Sequence, residues 1–96
     1  VGERRLMSDN QMQVNIVAAD HEVWSGEAKL VIAKTLVGEI GLMPGHEPML
    51  AILGAGEIRV SGGSGEVTAK TEMGGFLSME NNQVTVVMRD GGIDNQ

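Results

Sequence analysis

Apolar and polar residues alternate with a period of two along most of the chain, the spacing of half-buried β-strands. Met12, Val14, Ile16 and Ala18 alternate with Gln13, Asn15 and Val17, which predicts a first strand. Ala19 to Glu22 reads as a polar turn, and Val23-Trp24 as a short apolar step closed by Ser25-Gly26. Ala28, Leu30 and Ile32 share a phase opposite to Glu27 and Lys29, predicting a second long strand. Met49 to Leu53 is a buried strand that Gly54 and Gly56 are expected to stop. Glu57 to Ser61 alternates cleanly, Gly62-Gly63-Ser64-Gly65 reads as a hairpin loop, and Glu66 to Met73 follows. There Val67, Ala69, Thr71 and Met73 are expected to point inward. Gly74-Gly75 breaks the pattern, Phe76 to Met79 resumes it, Glu80-Asn81-Asn82 is a turn, and Val84, Val86 and Met88 mark the last strand. Amphipathic helical spacing occurs nowhere. The pattern predicts one all-β domain over residues 12–90, an antiparallel sandwich or flattened barrel. Residues 1–11 read as a flexible lead-in, with Met7 a candidate start, and 91–96 as a polar tail.

One stretch departs from simple alternation. Gly38 to Pro48 reads Gly-Glu-Ile-Gly-Leu-Met-Pro-Gly-His-Glu-Pro, gathering both prolines and one of the two histidines of the chain. Glycine admits dihedrals that other residues resist, and proline fixes φ and withholds an N–H donor. The stretch is therefore turn or sheet-edge structure, presenting Glu39, Met43 and His46.

Composition narrows the function classes. At 96 residues the chain is one small domain. It has a single Trp, a single Phe and no Tyr, so its seven methionines must fill part of the core. It has no Cys, which excludes disulfides and thiolate metal sites, and two isolated histidines do not make a zinc site. A net charge of −6 lacks the basic stripe that nucleic acid requires. No apolar run reaches the ~18–20 residues of a membrane-spanning helix. No secretory or transit segment is visible.

Candidate chemistry is sparse. The serines at 8, 25, 61, 64 and 78 lie outside any nucleophile-elbow pattern. Gly62-Gly63-Ser64-Gly65 is followed by no helix whose N–H groups could cradle a phosphate, so it reads as a hairpin tip. His46 has only Glu47 beside it, and adjacent side chains in extended chain point apart. His46 reads as a loop histidine bonded to backbone, or as an interface contact. Glu39 reads as a solvated charge, or as an ion-pair partner in a binding loop. Met43 is either an exposed handle or folded back into the core.

Together, Trp24-Ser25-Gly26, the Gly38–Pro48 string, Gly74-Gly75-Phe76-Leu77 and Gln83-Val84-Thr85-Val86-Val87 carry a resemblance. From about Met12 to Asp90 the chain resembles the N-terminal domain of the epsilon subunit of F-type ATP synthases, called delta in mitochondria. The resemblance implies a flattened sandwich of about ten short strands. It implies a non-catalytic part of the central stalk, without cofactor, that docks on the gamma subunit and on the ring of membrane c subunits. Such a domain couples ring rotation to ATP synthesis, on the cytoplasmic side of the membrane in bacteria. By position in the motif, Glu39 is expected to face the c ring. Pro44, Gly45 and His46, with Ala18 at the end of the first strand, are expected to face gamma. Many members continue into a C-terminal helical hairpin; the sequence to Gln96 carries no counterpart of it. Helix-mediated inhibition and the associated ATP binding are therefore not expected of these residues. A small acidic sandwich of this kind is expected to bind through an apolar patch rimmed by charge, and to be prone to self-association when unpartnered.

A carrier module of the biotinyl or lipoyl type is the alternative, and it needs a lysine at a hairpin tip. Lys34 and Lys70 both fall within strand patterns. A small enzyme would need paired catalytic residues, which the spacing does not supply.

Overall fold

A computed structural model describes residues 11–19, 21–63 and 66–93. The strands are β1 (Met12–Ala18), β2 (His21–Ala28), β3 (Leu30–Thr35), β4 (Gly38–Leu42), β5 (Met49–Ser61), β6 (Val67–Thr71), β7 (Gly75–Glu80), β8 (Gln83–Met88) and β9 (Gly92–Ile93). Their hydrogen-bonded path runs β2-β1-β8-β7-β5-β3-β4, with β6 bridging β5 and β9. All pairs are antiparallel except β1 with β8. The path ends on β2 and β4 without closing, so the fold is a flattened sandwich and not a barrel.

β5 joins the two layers. Its first part, Met49–Leu53, pairs with β7, and Gly56–Val60 pairs with β6. On its other edge, Ala33 of β3 faces Ile58 while Thr35 faces Leu53. Residues 54–57 thus bulge outward opposite Lys34 alone, and Gly56 takes a φ of 150° there. The glycines expected to end the strand instead bend it from one layer into the other.

One core lies between the layers. β1 contributes Met12, Val14, Ile16 and Ala18, and β8 contributes Val84, Val86 and Met88, all buried. Met12, Met79 and Met88 are among the largest fully buried side chains, so methionine takes up the volume that aromatics leave unfilled. Trp24 is only half-buried and packs over Gly26, where a Cβ would lie 2.7 Å from the indole ring.

Further expectations are corrected. The polar turn before Trp24 is shorter than expected, because β2 already begins at His21. Ala28 is buried, but a bend at Lys29 resets the alternation, so β3 buries Val31, Ala33 and Thr35, and not Leu30 and Ile32. Met73 is 59% exposed, because β6 ends at Thr71 and Met73 belongs to the following turn. The polar tail expected over residues 91–96 contributes one short strand, β9, which pairs with β6. The lead-in, apart from Gln11, and Ser64 and Gly65 of the hairpin loop lie outside the described residues.

Candidate docking surfaces

The Gly38–Pro48 stretch forms β4 and then a tight turn. His46 N–H donates to the Met43 carbonyl at 3.1 Å. Pro44 and Gly45 occupy the central positions, and Gly45 has a φ of 88°, the arrangement of a type II turn. The turn is tied to the β7–β8 hairpin: Gly45 N–H donates to Asn82 Oδ1 at 2.7 Å. Asn81 and Asn82, at φ 52° and 61°, form that hairpin's two-residue turn. The His46 ring is exposed, and its Nδ1 lies 2.8 Å from the Glu47 carbonyl. A carbonyl only accepts, so Nδ1 carries the proton in this contact. The histidine is thus bonded to backbone, as one of the two sequence readings has it.

Glu39 lies elsewhere. Gly38 pairs with Thr35, Thr35 with Leu53, Leu53 with Gly75, Gly75 with Met88 and Met88 with Ala18. Glu39 and Ala18 therefore belong to one end of the sandwich, and Pro44, Gly45 and His46 to the other. The five-residue β4 separates Glu39 from the turn, about 13 Å at ~3.3 Å per residue. Glu39 is exposed, whereas Ala18 is 1% exposed with its methyl in the core. Paired with His21 on one edge and Met88 on the other, Ala18 offers a partner almost no surface of its own.

The two outer faces differ in character. On the layer holding β3, β4 and β6, Lys34 pairs in register with Glu39 and Glu57 with Lys70, and Arg59 Nε lies 3.9 Å from Glu57 Oε1. These side chains are exposed, and such pairs contribute only ~0–1 kcal/mol each. On the other layer an apolar row crosses four strands: Ile52 of β5 pairs with Phe76, Phe76 with Val87 and Val87 with Val17. Leu50 lies two residues from Ile52 on the same side. Leu50, Ile52 and Phe76 are 69%, 54% and 41% exposed. The sequence carries a signal for this row. At Ile16-Val17, Val86-Val87 and through Met49–Leu53, apolar residues occupy both phases of the alternation.

A groove of about 480 Å³ lies between the bend of β5, the end of β6 and β9. Asp90 at its rim is engaged in holding the β6–β7 turn. Its Oδ1 accepts from Thr71 Oγ1 at 2.6 Å, Met73 N–H at 2.9 Å and Glu72 N–H at 3.1 Å. The Thr71 bond above all, helped by the two amides and opposed by burial, holds the carboxyl below its ordinary pKa of 3.8. A depressed acid stabilises the fold above its unfolded pKa, and that contribution disappears as pH falls through the folded value. Asp90→Asn should therefore lower the melting temperature at pH 7. Wild type and variant should converge as the pH is taken below about 3.8, which thermal melts across pH will test.

Among the described residues no three His, Cys, Asp or Glu approach closely enough to hold a metal. Lys34 and Lys70 lie within β3 and β6 and not at the hairpin tip a carrier module requires.

Residues 11–91 match the family described as the β-sandwich domain of the ATP synthase delta/epsilon chain. The chain is 43% identical over 77 residues to the ATP synthase epsilon chain of Streptomyces avermitilis, a match covering 80% of this chain and 62% of that one. It is 42% identical over 76 residues to the epsilon chain of Micrococcus luteus, covering 79% and 84% of the two chains. The chain thus spans less than two thirds of the Streptomyces relative's length. Among solved structures, a chain of the Euglena gracilis mitochondrial ATP synthase superposes with a TM-score of 0.79 at 20% identity, covering 88% of this chain and 54% of that one. A chain from the central stalk and c ring of the Tetrahymena thermophila enzyme superposes with a TM-score of 0.62 at 18% identity, covering 82% and 63%. At these identities the superpositions show a shared fold. With the family match spanning nearly all the described residues, the chain belongs to the ATP synthase delta/epsilon β-sandwich family.

Proposed function

We propose that the chain is the β-sandwich domain of the epsilon subunit of a bacterial, proton-translocating F-type ATP synthase. It performs no chemistry of its own. It docks on the gamma subunit and on the c ring, so that rotation of the ring is passed to the shaft and coupled to ATP synthesis. It works as a peripheral part of a membrane complex, on the cytoplasmic side.

The apolar row of Ile52, Phe76, Val87 and Val17, with Leu50, exposed at Leu50, Ile52 and Phe76 and half-buried at the two valines, carries the docking reading. A contiguous apolar strip on one face of a small acidic domain marks a protein-binding surface. Gamma covers this row and, at the opposite end of the sandwich, the Pro44-Gly45-His46 turn, while Glu39 faces the c ring. Ala18, itself buried, bears on the gamma contact by holding the neighbouring Val17 in the row. A domain that transmits torque needs two contacts on one stiff body. The continuous ladder from β2 to β4 supplies that stiffness. Size-exclusion chromatography of the chain mixed with purified gamma subunit tests the reading. A stable complex is expected, and a folded sample that elutes alone contradicts it.

A further inference from the structure

The β3–β4 hairpin turns through Thr35-Leu36-Val37-Gly38. Exposed turns favour Gly, Pro, Asn, Asp and Ser, yet this one carries two large aliphatics, with Leu36 71% and Val37 94% exposed. Its backbone is held in place. Thr35 is buried, and its hydroxyl donates to the Gly38 carbonyl at 2.6 Å while accepting the Val37 N–H at 3.2 Å. Leu36 N–H donates to the Ile52 carbonyl at 3.1 Å. Gly38 closes the turn at a φ of 130°, which a residue with a Cβ resists. The tip is thus shaped before any partner arrives, which removes an ordering cost from binding.

Glu39 follows directly, in register with Lys34. A partner that meets the Glu39 carboxylate must also meet Val37, two residues and about 7 Å away along the chain. The two contacts differ in weight. Burying an aliphatic side chain raises affinity ~10- to 100-fold, whereas an exposed ion pair raises it about fivefold at most. An exposed carboxylate such as Glu39 is a weak anchor by itself. Resting on the reading that Glu39 faces the c ring, we infer that the Leu36-Val37 tip is the apolar anchor of that contact. Glu39 is a rim charge that orients it, and Thr35 is the positioning residue that holds the tip in shape. The partner surface is a recess in the loop face of the c ring, apolar within and bordered by a base. A second copy of this domain is a poor occupant, because each copy carries a net charge of −6.

The test measures binding of the full chain, with gamma subunit present, to detergent-purified c rings at low and high salt. Leu36→Ser and Val37→Ser should each weaken binding about tenfold or more at both salts. Their melting temperatures should stay close to wild type, since both side chains are largely exposed. Glu39→Gln should weaken binding about fivefold at most, and the effect should vanish at high salt. Thr35→Val should weaken binding and speed exchange of the Val37 amide, and Thr35→Ser should restore both. Tip variants that bind like wild type while Glu39→Gln carries the loss would overturn the inference. So would tip variants that lose binding to gamma alone, since the anchor would then belong to the shaft. Wild type that binds gamma but not the ring removes the ring reading itself, and the anchor with it.

Discussion

Ile52→Asp should weaken binding to the gamma subunit by about a hundredfold or more and leave the sandwich folded. Ile52 points outward at 54% exposure, in the middle of the row that Phe76, Val87 and Val17 continue. In the free domain the change costs little, because the side chain is already half in water and strand preferences span only ~1 kcal/mol. In the complex it removes ~1.5–3 kcal/mol of apolar burial and adds the cost of desolvating a carboxylate within an apolar contact. Together these exceed the ~2.8 kcal/mol that a hundredfold requires. Circular dichroism should show unchanged strand content, and titration calorimetry with gamma should show the loss. Wild-type affinity in a folded Ile52→Asp variant would place the gamma contact elsewhere.

Gly75→Ala should be among the most destabilising single-methyl changes in the chain, at about 3 kcal/mol or more. Gly75 opens β7 opposite Met88. A Cβ there would overlap the Val87 carbonyl oxygen and lie 2.9 Å from Met88 Cα. Both obstacles are backbone of the paired strand, so no side chain can swing aside. The loss corresponds to a fall of about 12–24 °C in melting temperature for a domain of this size. Gly41→Ala is the control: nothing lies within 4 Å of a Cβ on that exposed face of β4, and the change should stay within about 0.5 kcal/mol. Equal effects at the two glycines would contradict the packing described here.

The fold class was legible because alternation reports one-sided burial directly. β1, β6 and β8 bury the residues their period predicts: Met12 to Ala18, Val67 to Thr71, Val84 to Met88. The misreadings arose where the backbone departs from a straight strand. At Lys29 a bend resets the phase, and a two-residue period carries no mark of where it restarts. At Gly54 and Gly56 the same glycines could end a strand or bend it, and pairing with β7 on one side and β6 on the other selects the bend. Glu39 and His46 were found through the glycine-proline motif. Their separation to opposite ends of β4 is also implicit in their spacing. The apolar row was not found that way. The outward positions before Val17 on its own strand are the polar Gln13 and Asn15, and its apolar company on that face comes from β8, β7 and β5. Cross-strand register is a tertiary property, so doubly apolar steps such as Ile16-Val17 are ambiguous until the strands are paired.

The central claim is that gamma covers the apolar row and leaves the charged face of the other layer free. Methyl-resolved NMR of the chain titrated with unlabelled gamma subunit tests it most directly. Leu50, Ile52, Val87 and Val17 methyls should shift or broaden, while Ile32, on the outer face of β3, stays unchanged. Perturbation of Ile32 with the Leu50, Ile52, Val87 and Val17 signals unmoved would contradict the account.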